Sequence, residues 1–349
     1  MAIKTLKTGE IIEIIPAIDV SQQSLARFYS LAYPERANFL INHWKWLYSG
    51  RNSQNIQCWP IVARAQNGTI VAHAATIPTH VIIDNELLDA RWFVDYFVSE
   101  QFRGMGLASI LIDEVMDSAE IVAIIGSSSA AKPVFRHHGW SECFGTISYS
   151  LPLKISNNVR FRSAPFQRLL RITDILLNRY YRIRKGVVTN DFELLPLTSR
   201  NLQRFTDNAL DFPVGVAQLH DNTFLTRRLI DFPLSHQIRV YSSTHSTALI
   251  RFTKSGGYSR MNILKIMTTA PIQFFKHILA LGLEHCVDEI ALVSSDKVLQ
   301  DSFNRLFPIR KNIPFYLFSR TRTLPSSTSM KSVRWEMIDS DLDLVHTSC

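Results

Sequence analysis

The stretch VDYFVSEQFRGMGLASILIDEV, residues 94–115, constrains the fold more than any other part of the chain. A run of strand-forming residues enters a loop with two spaced glycines, Gly104 and Gly106, and continues at once into an amphipathic helical pattern. The glycines remove the side chains that would keep a ligand off the backbone, and the amides of the loop and first helical turn converge at the positive end of the helix dipole. Such a turn suits a pyrophosphate. It lacks the lysine and Ser/Thr of a Walker A loop and the third glycine of a dinucleotide fingerprint.

The rest of the chain reads as two halves with one plan. A length of 349 residues predicts two domains, and 46% hydrophobic with 19% charged residues excludes disorder, collagen-like repeats and coiled coil. The first half reads as a strand (10–15), two helices (21–32 and 38–48) and a hairpin (58–65 and 69–77) about Asn67-Gly68. A second turn at Asp84-Asn85 leads to a returning strand (90–98), the glycine loop (100–106), a helix (107–118), a strand (121–125), a short helix (130–138) and a strand near 146–151. The second half repeats the order, with a strand (192–195), helices (199–210 and 222–231), three strands (238–242, 248–253 and 260–267), a helix (271–285), a strand (290–293), a helix (297–306) and a strand (315–318). This points to a duplicated domain. The boundaries expected are 1–153, a linker 154–188 and 189–349. After a Ser/Thr/Pro-rich loop (323–329), VRWEMIDSDLDLV reads as a last docking element.

The glycine turn resembles the Q/R-x-x-G-x-G/A signature of the GNAT acyltransferase superfamily, matched by Gln101, Gly104 and Gly106 in QFRGMG, with Leu107 and Ala108 continuing as is common there. The order of elements over residues 10–151 fits as well, and VFRHHGW (134–140) is similar to that family's aromatic-x-x-x-G-F/W segment. The resemblance implies an α/β fold of two GNAT-like domains, each a mixed, mostly antiparallel sheet flanked by helices. It implies that the backbone of Gln101, Phe102, Arg103, Gly104, Met105 and Gly106 holds the pyrophosphate of acetyl-CoA, with Leu107 and Ala108 opening the helix. Amides near Phe97 and Val98 would hold the acyl carbonyl and pantetheine arm, and Ser129 stands where the family often has an asparagine that contacts pantetheine. For Ser127 to Ser129 a simple turn and helix cap is the alternative.

The reaction implied is direct attack of a substrate amine on the thioester, with a base to remove the amine proton and an acid to protonate the thiolate. Asp95 is the candidate base, with Glu100 behind it. Phe135 stands where many family members carry a general-acid tyrosine and has no proton to give, so the thiolate leaves unassisted, Tyr96 or another group donates, or the domain binds the cofactor without efficient catalysis. His137 and His138 lie close by in sequence, as titrating or capping residues. The second half reads LKIMTTAPIQFF (264–275) at the equivalent point, without glycine, and is expected to have lost cofactor binding and to cover or shape the acceptor site. Three readings follow: an N-acetyltransferase acting on an amino sugar or a protein or peptide amine, a non-catalytic acyl-CoA sensor, and an aminoacyl-type transferase that docks tRNA.

The net charge of +8 resides in one segment. Residues 154–185 hold nine basic side chains (Lys154, Arg160, Arg162, Arg168, Arg171, Arg179, Arg182, Arg184, Lys185) against one acid, Asp174, so the remainder is formally neutral. Phe166, Leu169, Leu170, Thr173, Leu176, Leu177 and Tyr180 share one helical face. The segment is either a linker helix packed on both domains with its arginines in solvent, or a docking site for an anionic partner such as a membrane surface or nucleic acid. No apolar stretch approaches the roughly 20 residues of a transmembrane helix, and four scattered cysteines suggest neither a disulfide framework nor a metal site. The expected setting is the cytoplasm.

Overall fold

The computed structural model describes residues 2–48, 58–126, 131–157, 167–186, 192–207, 216–321 and 333–339. Its first half runs β1 (Ala2–Thr5), β2 (Ile11–Pro16), α1 (Gln22–Ala32), α2 (Ala37–Tyr48), β3 (Ile61–Ala65), β4 (Ile70–Ile83), β5 (Glu86–Val98), α3 (Leu107–Met116), β6 (Ile121–Ile125), α4 (Lys132–His137), β7 (Ser141–Cys143) and β8 (Ile147–Pro152). The helix α5 (Gln167–Lys185) follows. The second half runs β9 (Glu193–Leu195), α6 (Ser199–Leu202), β10 (Val216–Gln218), α7 (Asn222–Leu225), β11 (Ile238–Ser242), β12 (Ser246–Ser255), β13 (Tyr258–Thr268), α8 (Pro271–Glu284), β14 (Glu289–Ser294), α9 (Lys297–Asn304), β15 (Ile309–Asn312), β16 (Phe315–Ser319) and β17 (Val333–Arg334).

Local chemistry sets many of these boundaries. The Ser21 hydroxyl accepts from the amide of Ser24 and starts α1, and the Asp296 carboxylate accepts from the amides of Val298 and Leu299 and starts α9. Asp84 and Asn85, both at positive φ, close the long β4–β5 hairpin with the backbone twist that such a turn requires. The helix expected over 199–210 gives way after α6 to a 3₁₀ turn at Gln203–Phe205, and the one expected over 222–231 starts as α7 and continues as a π turn at Thr226–Ile230.

The two sheets have the same order. In the first, β2-β3-β4-β5-β6-β16-β7 are neighbours, with β1 on the β2 edge, and in the second β9-β11-β12-β13-β14-β8-β15. Along these orders each has one parallel pair, β5 with β6 and β13 with β14, among antiparallel neighbours, and off the first order β17 pairs in parallel with β10. The duplication expected from the sequence is therefore visible as repeated topology. One feature departs from it: the strands that read as the last of each half are exchanged. β8 pairs with β14 and β15 in the second sheet, while β16 pairs with β6 and β7 in the first. Sheet membership thus does not follow chain order across residue 153. β10 adds to the first sheet as well, against the far end of β4.

Three apolar clusters fill the layers. One lies between the halves and under α1 and α2, with Tyr29, Phe39, Trp92, Leu249 and Trp335 among its members. A second packs α3 and α4 on the first sheet, and a third packs α8, α9 and one side of α5 on the second. Because each half supplies a central strand to the other's sheet, neither can unfold without breaking the other's ladder. Calorimetry should therefore show one cooperative unfolding transition, and two separable transitions would contradict the interlocked arrangement.

Candidate functional site

β5 is the strand that builds the site. It pairs in parallel with β6 only from Ala90 to Trp92, opposite Ile121 to Ala123, and then diverges while both strands continue. Past the point of divergence β5 bulges: His73 pairs with Phe97 and Ala75 with Val94, so Asp95 and Tyr96 stand opposite the single residue Ala74. Asp95 takes a φ of 49°, a left-handed conformation that aspartate tolerates better than most residues.

A buried polar cluster holds the bulge in place. The Arg36 guanidinium, in the turn between α1 and α2, lies 2.6 Å from Oδ1 of Asp95, and the Tyr48 hydroxyl at the end of α2 donates to Oδ2. The Tyr33 hydroxyl donates to the backbone carbonyl of Asp95, and Nδ1 of His73 lies 2.7 Å from that oxygen. A carbonyl can only accept, so Nδ1 carries the proton and Nε2 the lone pair. Burial lowers the His73 pKa to about 4, which keeps the ring neutral. Burial raises the hydroxyl pKa of Tyr29, Tyr48 and Tyr96, with the nearby Asp95 charge adding to the effect at Tyr29 and Tyr48. The Asp95 side chain, expected as a free base, is only 3% exposed and already accepts two hydrogen bonds.

The glycine loop follows directly. Glu100–Phe102 forms a 3₁₀ turn whose Phe102 side chain anchors in the core against α3, leaving Gln101 and Arg103 exposed. Nε of Arg103 donates to the Val98 carbonyl at 3.1 Å and ties the loop to the end of β5. Gly104 has a φ of 77° and Gly106 a φ of 89°, and a Cβ on Gly104 would meet nothing within 4 Å, so that position needs glycine for its backbone conformation rather than for space. Gly106 is the N-cap of α3 and offers no capping side chain, so the first amides of the helix are left for another acceptor. The turn after β1 backs the loop, with the Lys7 amide donating to the Met105 carbonyl at 3.2 Å and the Lys7 stem beside Gly106.

The remaining expected residues are distributed as follows. Leu107 is fully buried at the start of α3, and Ala108 is half-buried. Val98 is buried, and Phe97 packs with its ring centroid 5.8 Å from that of Phe28 and 5.9 Å from that of Tyr33. Ser129 lies outside the described residues. Phe135, expected at the cofactor, has no exposed surface; its ring packs against Phe93, Trp140 and Tyr316 because α4 turns it into the core. The Tyr96 hydroxyl is buried without a hydrogen-bond partner among the described residues. Nδ1 of His138 lies 3.0 Å from Asp113 on α3, which makes that histidine a brace between helices. Sequence reasoning missed Arg36, Tyr48, His73 and Lys7, since none has a local pattern that ties it to Asp95 or to the loop.

The second half keeps part of this plan. β13 bulges where Leu249 and Ile250 face Lys265 and Ile263, and its pairing with β14 ends at Ile263 opposite Leu292. The opening beyond is filled by the chain's own last described segment: Glu336 bridges Ser294, the Ser295 amide donates to the Trp335 carbonyl at 3.1 Å, and a Glu336 carboxylate oxygen lies 3.5 Å from the Ile266 amide. Residues 333–339 of the docking element read from VRWEMIDSDLDLV thus sit in the opening beside β14, and the rest of that stretch lies outside the described residues. A separate cleft of about 690 Å³ lies at the opposite end of β5, lined by His80, Asp89, Arg91, Asp117, Arg227 and Arg320 among others. His80 lies 3.2 Å from Asp89 and Arg320 forms an ion pair with Asp117 within it, and it does not touch the glycine loop.

Comparison with known proteins agrees with this geometry. Residues 22–139 match the acetyltransferase (GNAT) family. No curated protein matches the chain in sequence. Among solved structures, N-myristoyltransferase of Saccharomyces cerevisiae with bound myristoyl-CoA and inhibitors is similar at a TM-score of 0.61 and 14% identity, over 88% of this chain and 80% of that one. GCN5-related N-acetyltransferases from Kribbella flavida (TM-score 0.53) and Anabaena variabilis (0.54) are similar at 11% identity, over 88% of this chain and 72% of theirs.

Two predictions follow from the buried cluster. His73 binds no proton in the folded protein above about pH 4 but does so near its ordinary value of 6.5 once unfolded, so folding stability should fall as pH drops from 6.5 towards 4. The loss should be on the order of 3 kcal/mol and should shrink in His73→Gln, as read from urea midpoints across that range. Asp95→Asn removes the carboxylate charge that faces the buried Arg36 guanidinium and should cost about 3 kcal/mol; an unchanged urea midpoint would show that the pair does not hold the bulge. Residues 22–139 thus match the acetyltransferase (GNAT) family, and the fold of the chain is similar to those of the GCN5-related N-acetyltransferases and N-myristoyltransferase.

Proposed function

We propose that the first half binds acetyl-CoA and transfers its acetyl group to an amine by direct attack in a ternary complex. The observation that carries this reading is the pair of left-handed glycines at the uncapped start of α3, placed where β5 parts from β6. The amides of Gln101 to Gly106 and the first turn of α3 hold the pyrophosphate, and Lys7 adds a positive charge beside Gly106. The pantetheine arm follows the opening between β5 and β6, and the amides near Phe97 and Val98 receive the acyl carbonyl. Fixed donors there stabilise the oxyanion of the tetrahedral intermediate without having to reorganise.

Asp95 is assigned as a positioning residue. Its carboxylate is already engaged by Arg36 and Tyr48, and what it determines is the shape of the bulge. The amine proton then leaves to a water at the open side of the site. Tyr96, whose hydroxyl is buried beside Phe93 without a partner among the described residues, is the candidate to protonate the thiolate. Phe93, Phe135, Trp140 and Tyr316 pack against one another on the α3 side of the bulge, which favours a short acyl group over a long chain. The acceptor we favour is an amino sugar, with a protein or peptide amine second. The second half, its own opening filled by Trp335 and Glu336, shapes the acceptor site. A binding-only role is the second reading, favoured by the burial of Phe135 and the engagement of Asp95.

Calorimetric titration of acetyl-CoA into the wild type and into Gly104→Val/Gly106→Val, checked for folding by circular dichroism, tests the proposal. We expect micromolar affinity in the wild type and a loss of roughly 100-fold in the variant, because valine cannot hold the left-handed backbone. Absence of wild-type binding would reject the donor site, and binding without turnover on any amine in a screen would select the binding-only reading.

A further inference from the structure

The helix α5 packs on the second half through Leu177 and Tyr181, and Asp174 on the same side accepts from the amides of Ile155 and Ser156. The face expected from the sequence to be buried is therefore only partly so. Leu169, Ile172, Leu176 and Ile183 point outward and are between 54% and 72% exposed. At 3.6 residues per turn these four form one strip along the helix, with Tyr180 at its border. Arg168, Arg171, Arg179 and Arg182 form a second strip beside it, all exposed. The apolar surface extends beyond the helix: the Arg184 guanidinium lies 5.1 Å from the ring of Phe307, which is itself exposed.

We infer that this outward face of α5 docks on an anionic lipid surface. A surface helix normally turns its large aliphatic residues inward, and a contiguous exposed strip of them marks an interaction site. Aliphatic residues beside a row of arginines suit the boundary between acyl chains and acidic headgroups. Charge selects among occupants. A second copy of the chain would bring two such rows together: the helix carries six basic residues against the single acid Asp174, which is turned towards its own protein. A nucleic acid would engage the arginines but leave the leucine and isoleucine strip in water. Among the described residues no helix is long and apolar enough to cross a membrane, so the contact is peripheral. The inference stands apart from whether the first half turns over an acyl donor.

Co-sedimentation of the full chain with vesicles tests it. We expect the protein to pellet with phosphatidylserine-containing vesicles, to stay in solution with pure phosphatidylcholine, and to be released by salt. Leu169→Ser/Ile172→Ser/Leu176→Ser should weaken that binding roughly tenfold or more while the melting temperature is unchanged, because these side chains are exposed in the fold. Arg168→Gln/Arg171→Gln/Arg179→Gln should weaken it as well. Failure of the wild type to pellet would overturn the inference, as would full binding by the triple-serine variant, which would leave charge alone as the cause. A wild-type dimer in size-exclusion chromatography that the triple-serine variant abolishes would assign the face to a second copy instead. Preferential binding of RNA, insensitive to the serine substitutions, would assign the arginines to nucleic acid.

Discussion

The reciprocal exchange of β8 and β16 is the constraint on which the rest of the architecture depends. Each is a central strand of the other half's sheet, hydrogen-bonded on both sides, so the divergent strands that frame each opening are flanked by a strand from the opposite half. The space between the halves closes as a consequence. Trp335 sits there with its ring centroid 5.0 Å from that of Trp92 and 4.7 Å from that of Phe315, one from β5 and one from the exchanged β16. A buried set of charges lies in the same region: Nζ of Lys265 is 2.9 Å from both carboxylate oxygens of Asp207, with His220 and Glu336 adjacent. Burial alone would raise the Asp207 pKa, but His220 and Lys265 outweigh it and hold the carboxyl below its ordinary value.

Within that frame the two halves diverge in what they do with the same device. Both carry a bulge next to a parallel pair that parts, and in the first half the strained residue is locked by four side chains from the turn between α1 and α2, from α2 and from β4. A left-handed aspartate costs on the order of 1 kcal/mol, and a buried ion pair with satisfied hydrogen bonds is enough to hold it. In the second half the opening is occupied by the chain itself through Trp335 and Glu336, and Ala270 and Pro271 start α8 directly, with no glycine between β13 and that helix.

The glycine loop was legible in the sequence because its chemistry is local: a strand, two glycines and a helix start within about 20 residues. The repeated order of elements was legible for the same reason, since periodicity and turn residues report on short windows. The anchor of Asp95 was not. Arg36, Tyr48 and His73 lie 59, 47 and 22 residues before Asp95 and meet it only because α1 and α2 cross β4 and β5. Phe135 was placed near the cofactor by its resemblance, yet α4 rotates it into an aromatic cluster. On α5 the apolar period was correct, but the face that packs is turned towards Leu177 and Tyr181, because shape complementarity with α8 decided the contact and periodicity could not.

By itself the sequence determined the two repeated α/β halves, the phosphate-suited turn at Gly104 and Gly106, and the single basic helix, each of which is written in the spacing of neighbouring residues. Only the tertiary structure decided which sheet each last strand joins, that Asp95 is a buried anchor, that the second opening is filled, and which side of α5 meets water. Those outcomes depend on long-range pairing and packing, where one backbone ladder or apolar face is nearly as good as another until the whole core is assembled.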